Sequence, residues 1–297
     1  MRIFDPHIHM TSRTTDDYEA MYAAGVRAVV EPAFWLGQPR TNPGSFYDYF
    51  DSLLGWEPFR AAQHGVTHHC TLALNPKEAN DPRCTPVLEE LPRYLVKDRV
   101  VAVGEIGYDA MTPAEDAALA AQLQLAVDHG LPALVHTPHR DKAAGVARTL
   151  DVLRESALPP ERALLDHLNE TTVRAAADSG CWLGFSIYPH TKMDERRMVR
   201  ILKEYDPVCG DRILVNSAAD WGRSDPLKTR RVGEAMLAAG FTEDDVDRVL
   251  WRNPVAFYGL SGRLELPDTP ASAPAPAPDP GATYQGNSLL RGTPAGR

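Results

Sequence analysis

The stretch DPHIHM, residues 5–10, sets His7 and His9 one residue apart, directly behind an acid. The preceding Arg2-Ile3-Phe4 is apolar enough to open a strand, and side chains along a strand alternate sides with a period of two. The two imidazoles therefore project the same way. Neutral imidazole is a common ligand of divalent cations. On spacing alone, two hydrogen-bonded histidines near a chain end fit equally well. Chemically capable residues recur downstream, each inside or just after a run that otherwise reads as apolar core. They are Glu105 in GEIGYD, His136 in LVHTPHRD, His167 in LLDHLNE and Asp220 in VNSAADWG. A polar side chain facing such a core needs a partner. Imidazole nitrogen and carboxylate oxygen together suit divalent ions such as zinc, manganese, magnesium, iron or nickel, and the set does not distinguish among them. Six ligands exceed what one tetrahedral ion takes, so two metal ions bridged by a carboxylate are expected.

Those residues need a scaffold that brings them to one place. Apolar, strand-like runs occur at the opening residues and at 27–33, 69–76, 100–107, 133–138, 163–168, 182–189 and 213–220. Near-continuous apolar runs of this kind fit parallel strands buried on both faces. Helical patterns lie between them, as in 14–25, 113–130 and 225–240. Thr112-Pro113 with Glu115, and Ser224-Asp225-Pro226, read as helix starts, while Gly25, Gly130 and Gly240 stand where helices end. Eight such repeats in a chain of 297 residues predict an α/β fold, a (β/α)8 TIM barrel, for which roughly 250 residues is typical. An open doubly wound sheet would need a Gly-rich phosphate loop after the first strand, and none is present. Catalytic residues of such barrels sit at the C-terminal ends of the strands, where all six candidates fall. The barrel is assigned to residues 1–262. Residues 263–297 are rich in Pro and Ala and read as a disordered tail.

Composition narrows the partners. A formal net charge of −9 argues against general adhesion to nucleic acid or anionic membranes. No apolar run reaches the ~18 to 20 residues of a membrane helix. The opening residues lack the pattern of a signal peptide, and a cytoplasmic location is expected. Cys70, Cys84, Cys181 and Cys209 show no CxxC spacing and read as reduced structural thiols. A monomer is the default expectation, since no long apolar surface stripe is evident.

DPHIH near the start, GEIGYD in mid-chain, two single later histidines, a late aspartate and the closing RNPVAFYGL (252–260) together resemble the TatD-like metal-dependent hydrolases of the amidohydrolase superfamily. The resemblance spans residues 1 to about 262. It implies that His7, His9 and Asp220 bind one metal, that Glu105 bridges, and that His136 and His167 bind the second. Asp220 would also serve as general base toward the attacking water. The chain departs from the family at two places. Where the family carries Glu-Thr-Asp-x-Pro after strand 8, this sequence reads Asn216-Ser217-Ala218-Ala219-Asp220-Trp221, so that Asp220 fills the role only through a two-residue expansion; without a gap, Ser217 falls there. Where the family carries His-Pro after strand 3, a position that faces the substrate, this chain has Asn75-Pro76.

His139 and Arg140 after strand 5 and His190 and Lys192 after strand 7 complete the substrate-binding candidates with Asn75, and Trp35 and Trp221 are candidate pocket walls. The leading expectation is a metal-dependent hydrolase of a small-molecule ester, phosphoester or amide. A metal-dependent deoxyribonuclease comes second, because no run of basic residues interleaves with aromatics. A non-catalytic barrel with a degenerate metal site is third.

Overall fold

The computed structural model describes residues 1–35, 37 and 39–277. Eight parallel strands stand in sequence order: β1 (Ile3–Asp5), β2 (Val26–Pro32), β3 (Thr67–Leu72), β4 (Val100–Gly107), β5 (Ala133–His136), β6 (Ala163–Asp166), β7 (Trp182–Ser186) and β8 (Ile213–Asn216). All eight lie within or beside the runs read from the sequence. Every strand is buried almost throughout, as parallel strands flanked by helices must be. Alternation sorts their side chains. Phe4, Val30, Leu134, Leu164 and Leu214 fill the barrel interior, while Ile3, Val29, Val135 and Leu165 pack outward under the helices.

The helix Pro113–Asp128 starts as expected, with Thr112 accepting from the Glu115 amide. The third helical pattern begins later than read, at Lys228, because Asp225 spends its carboxylate on the Leu227 amide in a turn. The final helix, Asn253–Gly259, sets Phe257 and Tyr258 against Phe4, and the Tyr258 hydroxyl donates to the Pro6 carbonyl at 2.6 Å.

The ladder between β8 and β1 closes past the strands' ends. Ala218 N donates to His7 O and His9 N to Ala219 O, both at 2.9 Å. This seam runs through the segment that carries the first two histidines.

Residues 263–277 differ from the expected tail. They lie against the N-terminal end of the barrel. Leu264 and Leu266 pack on the inner apolar cluster, Arg27 donates to the carbonyls of Pro270 and Ala271, and Tyr22 donates to Pro274 O at 2.9 Å. Two leucines and two polar anchors supply the burial that the Pro/Ala count alone does not reveal. The rest of the expected tail lies outside the described residues. Among the described residues, no helix is long and apolar enough to cross a membrane. All four cysteines are buried and free.

Candidate metal centre

β1 ends at Asp5 and the chain bends at Pro6 and His7, yet it stays tied to the barrel on both sides. Ile8 N donates to Val30 O, and His9 is held across the seam. The rings of His7 and His9 thus keep a common side, with Nε2 atoms 3.1 Å apart. Glu105 reaches the same point from β4. The β4–β5 register slips between Gly104 and Ile106 and leaves Glu105 as the extra residue, a bulge that turns its side chain into the barrel mouth. Gly107, at φ 128°, lets β4 pass so close to His136 that a Cβ would collide with that residue's backbone. His136 shares the inward parity of Leu134. His167 follows β6 in the left-handed region, at φ 63°, held there by its own amide donating to Asp166 Oδ1 at 2.7 Å.

Glu105 Oε1 is the hub. It lies 3.5 Å from His7 Nε2, 3.3 Å from His136 Nδ1 and 3.2 Å from His167 Nε2. Three overlapping groups could each hold a metal ion: His7, His9 and Glu105; Glu105, His136 and His167; and His7, Asp166 and His167. All these side chains are buried.

The electrostatics suit cations. Burial works to raise the Glu105 pKa, but His7, His136 and His167 outweigh it and hold the carboxylate well below its ordinary value. Burial, with His7 beside it, pushes His9 down to about 4. Burial and then Lys192 hold His167 well below its usual value. The opposite holds for His7: burial pulls it down, but the carboxylates of Glu105 and Asp166 prevail and raise it. Asp166 is itself held below the usual carboxylate range, since burial is overcome by His167 and His7.

The donor set fits divalent metal ions on a further observation. The Nε2 atoms of His7 and His9 face one another, and both cannot donate across 3.1 Å. His7 Nδ1 is taken by Asp166 Oδ2 at 2.5 Å, which directs the Nε2 lone pair inward. His9 Nδ1 and His136 Nε2 are buried without a hydrogen-bond partner among the described residues. His167 Nδ1 pairs with Ser186 Oγ at 2.6 Å, again leaving Nε2 to face Glu105. Aligned imidazole lone pairs around an ionised carboxylate are the environment that nitrogen- and oxygen-liganded cations require.

Five of the six predicted ligands, His7, His9, Glu105, His136 and His167, converge here. Asp220 stands outside the three groups. It is half-buried, its Oδ1 accepts from Tyr188 OH at 2.7 Å and from Gly222 N at 2.8 Å, and its charge reaches His9. Ser217 does not take its place, because Ser217 packs on Asp5 through its backbone amide. Asn75 donates to Glu105 Oε2 at 3.0 Å and so orients the hub. His139 is exposed, with its ring 5.8 Å from His136 and 6.0 Å from His167. Arg140 and His190 are exposed in their loops. Lys192 is the residue of the β7 loop that reaches in, with Nζ 3.2 Å from His167 Nδ1.

Asp166 went unread in the sequence. Its signal was an acid adjoining a histidine at a strand end, close to the Asp5-Pro6-His7 arrangement that opens the chain. Phe34, stacked on His9 at 4.1 Å, carried no sequence signal.

A closed parallel barrel with such a histidine–carboxylate cluster at the C-terminal ends of its strands defines the class of metal-dependent hydrolases of amidohydrolase type. The family model described as TatD related DNase matches residues 4–259, and the chain belongs to the TatD family. An uncharacterized metal-dependent hydrolase of Methanocaldococcus jannaschii is 27% identical over 259 residues, covering 87% of this chain and 100% of that protein. The crystal structure of a TatD-like protein from Archaeoglobus fulgidus superposes with a TM-score of 0.72 at 26% identity, over 86% of this chain and 99% of that one. A phosphotriesterase homology protein from Escherichia coli shares the fold, with a TM-score of 0.62 at 16% identity, over 86% and 98% of the two chains.

Proposed function

We propose that the enzyme hydrolyses an ester, phosphoester or amide bond of a small molecule, with two divalent metal ions. The observation that carries this reading is the sharing of Glu105 Oε1 between the His7 and His9 side and the His136 and His167 side of the cluster. His7 and His9 would hold one ion and His136 and His167 the other, with Glu105 between them. When bound, such ions supply Lewis-acid polarisation of a substrate oxygen and activation of water at neutral pH.

The chain's own groups do the rest. Asp166 and Ser186 fix the tautomers of His7 and His167, and Asn75 fixes the rotamer of Glu105. Asp220 is the proposed general base rather than a metal ligand. Tyr188 and Gly222 occupy its Oδ1, and among the described residues no hydrogen bond takes Oδ2, which is left to accept a proton. The net charge of −9 supports a small-molecule substrate over a nucleic acid.

Elemental analysis of protein purified without chelators tests the reading. About two ions per chain are expected, falling below one in Glu105→Gln, together with turnover of at least one aryl ester, phosphate or anilide. Metal retention undiminished in Glu105→Gln would overturn it. Cleavage of single-stranded DNA with Mg²⁺ or Mn²⁺, without turnover of any small ester or amide, would move the assignment to a deoxyribonuclease.

A further inference from the structure

Two lysines at the catalytic mouth make no salt bridge among the described residues, although the buried carboxylates of Asp166 and Glu105 and that of Asp220 attract Lys192, and that of Asp166 attracts Lys142, from farther off. Lys142 opens the helix Lys142–Glu155 and turns back, its Nζ donating to Thr137 Oγ1 at 3.0 Å. Lys192 rests its Nζ against His167 Nδ1. Both are half-buried. The charge of Lys192 acts against Lys142, and both act on His139, so the three share one region. Clustered, partly desolvated cations are costly unless an anion joins them. The contact of Lys192 also conflicts with metal binding. A His167 that presents Nε2 to a cation carries its proton on Nδ1, and an N–H there repels the ammonium. Lys192 must then find another acceptor.

The wall across the mouth is aromatic. Phe34, after β2, stacks on His9 at 4.1 Å, and Trp221, after β8, stacks on Phe34 at 5.4 Å and 23°. Trp221 is 50% exposed. The ladder leads from solvent to the metal-binding rings. Strand order places it on the β1, β2 and β8 side, while the lysines follow β5 and β7.

We propose that the substrate carries an anionic group, phosphate or carboxylate, bound by Lys142 and Lys192, and a flat unsaturated group bound by Phe34 and Trp221. This rests on the hydrolase reading of the same centre and names its substrate class. Each lysine supplies a charge-assisted hydrogen bond, and the rings supply stacking area.

The test is calorimetric titration of the metal-loaded full chain with phenylphosphonate, benzoate and methylphosphonate, none of which can turn over, alongside quenching of tryptophan fluorescence. Phenylphosphonate is expected to bind roughly tenfold more weakly to Lys142→Met and about fivefold more weakly to Trp221→Ala, with metal content unchanged. Lys142→Arg should restore most of the loss. Methylphosphonate should respond to the lysine change and not to the tryptophan change. The same pattern with benzoate as the tighter ligand supports the subsite with a carboxylate as its anion. Equal binding by wild type and both variants overturns the proposal, as does neutral benzamide binding as tightly as the anions. Binding that follows the expected pattern while no ester or amide is turned over sinks the small-molecule hydrolase reading and leaves the subsite standing. Turnover of neutral aryl esters untouched by either variant does the reverse. A single-stranded oligonucleotide that outcompetes phenylphosphonate overturns the small-molecule assignment.

Discussion

Asp166 binds nothing of its own in the proposed chemistry, yet it holds two of the proposed ligands. Its Oδ2 holds His7, and its Oδ1 accepts from the His167 amide and from Asn216 Nδ2 at 2.9 Å. Asp166→Asn keeps the volume and removes the charge. An amide group then faces donors that the carboxylate had satisfied, and His7 loses the partner that sets its tautomer. Metal affinity is expected to fall roughly 10- to 100-fold, read by competition with a chromogenic chelator. An unchanged affinity would show that the residue serves packing alone. Asp220 gives the contrasting expectation. Asp220→Asn should retain the full metal complement while turnover falls roughly 100-fold or more, the range for a lost general base. Loss of one ion per chain would instead make Asp220 a ligand.

At the scale of elements, the site depends on places where regular strand geometry is broken. Glu105 arrives through a bulge, His167 through a left-handed residue, and His7 and His9 through a seam made past the strand ends. Alternation correctly foretells His136, because β5 is regular to its last residue. It does not foretell Glu105, because the register slip reverses the parity of β4 at that point. Gly184 on β7 is a quieter condition of the same kind. A Cβ there would fall on the carboxylate and Cα of Asp166. Gly184→Ala is therefore expected to destabilise the fold by about 1–3 kcal/mol through overpacking and to weaken metal binding in step with Asp166→Asn. Denaturant unfolding and the chelator assay measure the two effects. A stability loss without any change in metal affinity would show that β7 yields rather than Asp166.

The molecule as a whole has a chemical end and a sealed end. At the sealed end, the Glu265 amide donates to His69 Nε2 at 3.4 Å, and His69 Nδ1 is buried without a partner among the described residues. Burial, then His68 and Arg99, push the His69 pKa down to about 3. Its folded value lies below its unfolded value, so the unfolded chain takes a proton first as the pH falls. Stability is fully present above pH ~6.5 and declines as pH drops from there toward about 3. The slope from this residue is up to about 1.4 kcal/mol per pH unit. His69→Gln should flatten the decline by close to one proton's worth, as seen in denaturant midpoints measured between pH 7 and 4. An identical slope in the variant would mean that His69 opens to water before it titrates.

How much was legible follows from what each feature requires. Eight strands, the barrel and five of the proposed ligands could be read from residue types, because burial on both strand faces leaves apolar runs and a polar residue at their ends stands out. The GEIG and HxH stretches carried the family resemblance for the same local reason. What only the tertiary structure decided depended on residues far apart in the chain. Asp166 meets His7 across 159 positions, Phe34 meets His9 and Trp221 from separate loops, and Lys142 and Lys192 face one region from the segments that follow two different strands. Asp220 and Ser217 show the limit most plainly. Sequence narrowed the strand 8 residue to these two, and the fold turned one onto Tyr188 and the other onto Asp5. Such pairings are set by the closure of the sheet, which no local pattern encodes.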